Sequence, residues 1–145
     1  MPKTKRLIIR EWRAASARKT ENSDGLADAD MIPWCKKLNR LPGICTLQSC
    51  AGHGGVAPGH IVSCGHIWLY LDERVSAAFN AKAFVLSCQP NIERVYRLYS
   101  HWGQEIACVE FLGNERGELA HSMGAIHGFL KTLTPKPSCN PQRHL

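Results

Sequence analysis

The sequence predicts an α+β fold, with a mixed, mainly antiparallel sheet and helices packed on one face. Three observations predict it. Segments rich in β-branched and aromatic residues cluster along the chain instead of alternating strictly with helices. Between them, apolar residues recur at the three- and four-residue spacing of amphipathic helices, and glycine, proline and asparagine mark the boundaries. Hydrophobic residues make up 44% and charged residues 21% of the chain, typical of a globular domain. We therefore expect a single domain over residues 1–145, with flexible ends at 1–4 and 135–145.

Eight elements are predicted, with strands assigned from β-branched and aromatic content and helices from apolar spacing. The first segment favours an edge strand, with a basic helix as the alternative. In chain order the predictions are an edge strand at Lys5–Ala14, a helix at Asp28–Leu41, strands at Ile44–Ser49 and Ile61–Leu71, helices at Glu73–Cys88 and Pro90–Trp102, a strand at Glu105–Leu112 and a helix at Glu118–Leu133.

The boundaries of the helices carry residue types that favour helix ends. Asp30 and Asp72 are N-cap candidates, and Gly103 is a C-cap candidate for the predicted Pro90–Trp102 helix. The predicted strand Ile61–Leu71 is the most apolar segment of the chain, so we expect it to be central and covered on both faces.

Charge and cysteine content narrow the classes of partner. The chain has 18 Lys+Arg against 12 Asp+Glu, a formal net charge of +6, which favours polyanionic partners such as nucleotides or RNA. Its seven cysteines are odd in number, and no signal-peptide pattern precedes them, which favours a reducing cytoplasm. No apolar run approaches the roughly 18 residues of a membrane span, so no membrane partner is expected.

The stretch Thr46–Gly55 is the candidate binding site. A predicted strand ends there in three glycines, a thiol and an imidazole. Glycine allows positive φ, so the N–H groups from Cys50 to Gly54 would form a nest for an anion, of which phosphate is the first candidate. The alternative is a plain β-turn. In the binding hypothesis, the phosphate contacts are Ser49, Cys50, Gly52 and His53, and the additional ligand contacts are His66, Trp68 and Arg74.

Two other kinds of chemistry are open at the same residues. A two-cysteine, two-histidine set would suit zinc, the alternative being buried thiols that act as small hydrophobes. A nucleophilic site would pair the thiolate of Cys50 with a neighbouring imidazole, His53 or His66, with Asp72 or Glu110 as the orienting carboxylate. The zinc set would comprise Cys50, His53, Cys64 and His66.

The same stretch carries a resemblance to known proteins. Leu41–Ile44 followed by Thr46–His53 is similar to the P-G-I-x-T-x-x-S-C-x-G-H signature of small phage and prokaryotic proteins. It also resembles, more distantly, the S-S-C-S-G-R loop of the tRNA wybutosine-synthesis methyltransferase family, in which a strand bearing tryptophan follows, as Ile67–Leu69 does here. The methyltransferase resemblance implies an α+β fold, S-adenosylmethionine and a tRNA substrate. The phage resemblance implies action on host nucleotide signals or host complexes.

The leading hypothesis is a phage-related cytoplasmic protein that binds a phosphate-bearing ligand, a nucleotide, at the Ser49–Gly55 loop and sequesters a host immune signal. The alternatives are a tRNA-modifying methyltransferase-like enzyme and a zinc-stabilised interaction domain. The residues leave open whether the chain is an enzyme and which cofactor it holds. Aromatic residues on the predicted Pro90–Trp102 helix are candidates for homo-oligomer contacts.

Overall fold

In a computed structural model, the chain forms an antiparallel sheet with helices packed against it, which confirms the α+β class. The structure describes residues 4–8, 10, 28–52, 64–99 and 105–134. Within these, a 3-10 turn at Ala29–Met31 precedes the first helix and another at Asn114–Arg116 precedes the last. The main elements are the strands β1 (Ile44–Cys50), β2 (Gly65–Leu71), β3 (Ile92–Tyr99) and β4 (Glu105–Phe111), and the helices α1 (Ile32–Asn39), α2 (Glu73–Ser87) and α3 (Leu119–Leu133).

The sheet has the order β1-β2-β4-β3, and every pair of neighbours is antiparallel. The predicted central strand, β2, lies between β1 and β4. Its burial alternates: Ile67 and Leu69 are buried beneath the helices, whereas Trp68 and Tyr70 point to the other face and are half-buried. The expectation that β2 is covered on both faces therefore holds fully for the helix face and in part for the other, where Trp68 and Tyr70 are half-buried while Cys45, Ile106 and Cys108 of the neighbouring strands are buried. We call the other side the open face.

One hydrophobic core lies between the sheet and the helix layer. Phe79 of α2 is fully buried and meets Phe129 of α3 edge to face, with ring centroids 5.8 Å apart. Burying a large apolar side chain contributes about 1.5–3 kcal/mol, so this layer dominates the stability of the fold. The helical residues in the core are Cys35, Leu38, Val75, Phe79, Leu86, Leu119, Met123, Ile126, Leu130 and Leu133.

The turn before β1 and the start of α2 are built against each other. As predicted, Asp72 caps α2, its Oδ1 accepting a hydrogen bond from the amide of Val75 at 2.9 Å. The Asp72 amide in turn donates to the carbonyl of Gly43 at 2.8 Å. Gly43 has φ +76°, and a Cβ there would collide with the Asp72 carboxylate. Pro42-Gly43 follows α1, and because Gly43 has no side chain the backbone there can lie close to the Asp72 cap of α2.

Two predicted elements are wrong. The segment predicted as the Pro90–Trp102 helix forms strand β3 instead, at the edge of the sheet. At the N-terminus, residues 5–8 are helical rather than strand, which agrees with the alternative. Lys5 of this segment donates from Nζ to the carbonyl of Leu41 at 2.5 Å. Of the predicted flexible ends at 1–4 and 135–145, residues 1–3 and 135–145 lie outside the described residues.

None of the helices in the described part of the chain is both long enough and apolar enough to cross a membrane.

Candidate functional site

A bulge in β1 decides which residues of the Thr46–Gly55 stretch face which way. The pairing of β1 with β2 shifts between Thr46 and Gln48, so one extra residue, Leu47, is accommodated there. Beyond the bulge, Ser49 pairs with the core strand residue Ile67 and turns toward the helix layer. Cys50, the next residue, consequently lies on the open face.

The Ser49 hydroxyl is enclosed rather than presented at a surface. Ser49 is only 6% exposed, and its Oγ lies 3.4 Å from the Cys35 Sγ of α1. Thr46 is fully buried beside them, and its Oγ1 has no hydrogen-bond partner within the described residues. Burial raises the pKa of the Cys35 thiol, an effect that the neighbouring Ser49 and Thr46 hydroxyls partly oppose. Both hydroxyl residues of the Thr46–Gly55 stretch thus form a buried polar cluster with a protonated thiol.

The end of β1 is clasped by two other segments. The Ala51 amide donates to Oδ2 of Asp28 at 2.9 Å, and the Ala51 carbonyl accepts from the amide of Asn114 at 2.8 Å. Gly52 follows with φ +90°, the left-handed conformation expected of a nest glycine. One of the amides expected to bind phosphate is therefore already bonded to a carboxylate, and residues 53 and 54 lie outside the described residues.

The open face carries three cross-strand rows of side chains. Directly opposed residues in antiparallel strands have Cβ atoms about 4.5–5.5 Å apart, so each row is a line of neighbours. From β1 to β3, the first row is Cys50, His66, Glu110 and Arg94; the second is Gln48, Trp68, Cys108 and Tyr96; the third is Cys45, Tyr70, Ile106 and Leu98.

Aromatic rings and one ion pair make up the surface of this face. The His66 and Trp68 ring centroids are 6.2 Å apart with a 45° tilt. On β3, the Arg94 guanidinium lies 4.3 Å from the centroid of the Tyr96 ring. Arg94 also donates from Nε and Nη2 to the two carboxylate oxygens of Glu110, at 2.7 and 3.0 Å. The arrangement provides flat ring faces for stacking with a cation at one end.

The thiols on this face differ in chemical state. Burial raises the pKa of Cys45 to about 12 and that of Cys108, with Glu110 nearby, to about 11. Both thiols are protonated at neutral pH and are poor nucleophiles. Cys50 is half-buried and lies opposite His66, so it is the thiol that the fold places beside an imidazole.

The structure brings together some of the predicted site residues and separates others. Cys50, His66 and Trp68 lie side by side on the open face, whereas Ser49 faces the core. Arg74 is exposed in the first turn of α2, beyond the opposite end of β2. At about 3.3 Å per residue, that end is roughly 17 Å along the strand from His66. Arg74 is thus remote from the strand end where Cys50 and Gly52 lie. His53 lies outside the described residues.

The described residues do not contain a cluster of the kind that the zinc hypothesis requires. Among the residues that the structure describes, no group of three or more His, Cys, Asp or Glu side chains is arranged to hold a metal ion. Cys64 is exposed just before β2, and the fourth proposed ligand, His53, is not among the described residues. Of the two suggested orienting carboxylates, Asp72 caps α2 and Glu110 is the cross-strand neighbour of His66.

Sequence reasoning did not include Arg94 and Tyr96 among the candidate residues because it predicted a helix where the structure has β3. The signal was present in composition. Isoleucine, valine, two tyrosines and leucine within eight residues favour a strand.

Comparisons with known proteins show a likeness of fold. No family model matches the chain, and no curated protein matches it. A solved structure, that of the PH1069 protein from Pyrococcus horikoshii, is similar with a TM-score of 0.51 and 15% sequence identity, covering 89% of this chain and 91% of that one. An identity this low shows a related fold and carries no statement about activity.

Proposed function

We propose that the protein binds a phosphate-bearing nucleotide on the open face of its sheet, at the end where β1 stops. The observation that supports this most is the position of Trp68, half-buried at the centre of the face beside His66. A tryptophan on a central strand is usually core. Here its strand neighbours Ile67 and Leu69 fill the core, and the indole lies on the side away from the helices.

Stacking is the interaction that this surface supports. A base stacked on an aromatic side chain contributes about 1–3 kcal/mol. Trp68 and Tyr96 lie in one row with a single strand between them, so their strands are roughly 9.6 Å apart. Trp68 is the stacking position on this face, since the Arg94 guanidinium already lies over the Tyr96 ring. The small side chain of Cys108 lies between the two rings.

The phosphate would lie toward the first row. Arg94 and His66 are in that row, and Cys50 and Gly52 are at the adjacent strand end. The proposal keeps His66, Cys50 and Gly52 of the original hypothesis and replaces Arg74 by Arg94, whose guanidinium the phosphate would share with Glu110. It does not require the Ser49 hydroxyl, which is committed to Cys35. The formal net charge of +6 favours an anionic ligand in general.

The proposal also includes a cellular role for nucleotide binding. The signature shared with small phage proteins suggests a cytoplasmic protein that sequesters a host nucleotide signal. Sequestration is supported by the protonated state of two of the three open-face thiols, Cys45 and Cys108, which leaves few groups for catalysis.

The alternative is a tRNA-modifying, methyltransferase-like enzyme. Its support is the resemblance of the Ser49–His53 stretch, and an aromatic sheet face is also suited to unstacked RNA bases. This alternative requires a methyl donor, which the sequestration proposal does not.

The test measures nucleotide binding by calorimetry with a panel of mono-, di- and cyclic nucleotides, tRNA and S-adenosylmethionine, after native mass spectrometry for a co-purified ligand. Trp68→Ala and Arg94→Gln should each weaken nucleotide binding tenfold or more, since a tenfold change corresponds to about 1.4 kcal/mol. Phe84→Ala and Arg74→Gln are matched controls that remove an exposed ring and an exposed cation elsewhere, and they should bind as the wild type does.

Wild-type affinity in both Trp68→Ala and Arg94→Gln would contradict the proposed surface. A ligand recovered unaltered after incubation supports sequestration. Binding of S-adenosylmethionine with methyl transfer to tRNA would establish the alternative instead.

A further inference from the structure

Helix α2 has two apolar faces, and only one of them is used within the monomer. Val75, Phe79 and Leu86 are fully buried against the sheet and α3. The opposite face also carries apolar side chains, and all of them are exposed, Phe84 at 78% and Val85 at 55%. Exposed apolar side chains that share one helix face mark a candidate interaction surface. We call this exposed set the outer stripe: Ala77, Ala81, Phe84, Val85 and Cys88.

The spacing of the outer stripe matches a helix-pairing seam. Four of the five outer-stripe positions, 77, 81, 84 and 88, are separated by four, three and four residues, and Arg74 continues the repeat that keeps one stripe facing a second helix. The two alanines at 77 and 81 allow two helix backbones to approach closely, while Phe84 projects beyond them.

The outer stripe of one copy is complementary in shape to the outer stripe of a second copy when the two helices are antiparallel. In an antiparallel pair with the two-fold axis at Ala81, Val85 of each copy lies against Ala77 of the other, whereas Ala78, level with Phe84, packs on the core and is outside the stripe. Large side chains therefore meet small ones at both ends. A parallel pair would instead place Phe84 against Phe84 and Arg74 against Arg74, which opposes like charges.

Charge selects the same arrangement. The last turn of α2 contains no basic residue, so its carbonyl end has no cation of its own within the helix. In the antiparallel pair, the exposed Arg74 of one copy lies beside Cys88 at the C-terminal end of the other helix, and it continues the three- and four-residue spacing of the seam whereas the neighbouring Glu73 does not. A cation at that end interacts favourably with the helix dipole.

We propose that the chain forms a two-fold symmetric homodimer in which α2 packs antiparallel on α2 of a second copy, centred on Ala81. The inference is independent of nucleotide binding, since α2 lies on the helix side of the sheet. A single pair of 15-residue helices buries on the order of 1,000 Å² in total, at the low end for specific interfaces. The dimer is therefore a weak one, with a dissociation constant in the micromolar range.

Sedimentation velocity from micromolar to sub-millimolar concentration measures the association directly. The wild type should convert from monomer to dimer within this range, and Phe84→Asp should raise the dissociation constant at least tenfold. Because Phe84 is largely exposed, its variant should melt at the wild-type temperature. Leu98→Asp is the matched control: it places the same charge at an exposed apolar residue on the open face and should leave the dimer intact.

A cysteine cross-link tests the geometry. Two Ala81→Cys side chains would meet at the two-fold axis, so diamide should oxidise them to an intermolecular disulfide. The native Cys88 residues of the two copies would be separated by about 21 Å along the helices, at 1.5 Å per residue over 14 residues, and should not cross-link to each other. A monomer at every concentration, a dimer that persists in Phe84→Asp, or a prevalent Cys88 to Cys88 disulfide would each overturn the proposal.

Discussion

The carboxylate of Asp28 accepts a hydrogen bond from the amide of Ala51 at 2.9 Å, joining two segments that are 23 residues apart in sequence. The strand end that was expected to hold an external anion thus holds an internal one. The contact fixes the start of the α1 segment against the end of β1. A second contact at the same place, from the Asn114 amide to the Ala51 carbonyl, ties in the segment after β4.

Asp28→Ala should destabilise the fold by at least about 1–2 kcal/mol, because it leaves the amide of Ala51 without its charged acceptor. Asp28→Asn keeps an oxygen acceptor and should lose less. Urea unfolding measures the difference as a lower midpoint with an unchanged slope. Glu93→Ala removes an exposed carboxylate on β3 and serves as the control. An Asp28→Ala protein as stable as the control would show that this bond contributes nothing to the fold.

Gly65 is required at the first position of β2 because its cross-strand neighbour, Phe111, fills the space where a side chain would be. A Cβ at Gly65 would overlap the Phe111 ring. Gly65→Ala should therefore cost about 1–3 kcal/mol as an overpacked core site. Gly128→Ala, in α3, meets no atom within 4 Å and should stabilise the protein by about 0.5–1 kcal/mol. Thermal melts of the two variants should move in opposite directions; a shared direction would contradict this assignment.

The residues after Pro90 show why the sequence predicts a helix where the structure has strand β3. Ile92, Val95, Tyr96 and Tyr99 recur at helical spacing, and a strand alternation is obscured by two features. A register shift between Ile92 and Arg94 interrupts the period of two. Arg97 then lies on the side facing α2, with its guanidinium 4.8 Å from the centroid of the Phe79 ring and ion-paired with Glu105 at 2.8 Å. A charged residue on the core side is stable only because tertiary contacts satisfy it, and those contacts are invisible in a single sequence.

Strand β1 is a second place where contacts between elements, and not residue type, decide the structure. The sequence correctly places a strand before the glycines, and the Cys50, His66 and Trp68 candidates do meet on one face. The side to which Ser49 points depends on the bulge at Leu47, since one extra residue reverses every side chain beyond it. A bulge depends on pairing with a partner strand, so residue types alone did not reveal that Ser49 is in the core.

Exposed and buried cysteines should react at very different rates with a thiol reagent at mildly alkaline pH. Cys64 and Cys88 are exposed and should be labelled fast in the native protein. Cys35, Cys45 and Cys108 are fully buried, and burial raises the pKa of each, so they should be labelled only after unfolding. Peptide mass spectrometry assigns the sites. Fast labelling of Cys45 or Cys108 in folded protein would mean that the sheet opens on the labelling timescale.

His127 should make the stability of the fold depend on pH. Burial, with Lys37 of α1 and Lys131 nearby, lowers the pKa of His127 below its ordinary value of 6.5. The unfolded chain therefore binds more protons than the folded one between the folded-state pKa and 6.5. Stability is at its full value above pH 6.5 and is lost as the pH falls through this window.

His127→Gln should remove that part of the pH dependence, so the wild type should lose stability relative to the variant as the pH falls below 6.5. Lys131→Met removes one of the two neighbouring cations and should reduce the effect without abolishing it. Urea unfolding across the window measures the slope, and the NMR titration of the His127 ring measures the pKa itself. If wild type and His127→Gln lost stability in parallel, the buried face of α3 would have to accept the imidazolium at no cost. That outcome would contradict the lowered pKa of His127.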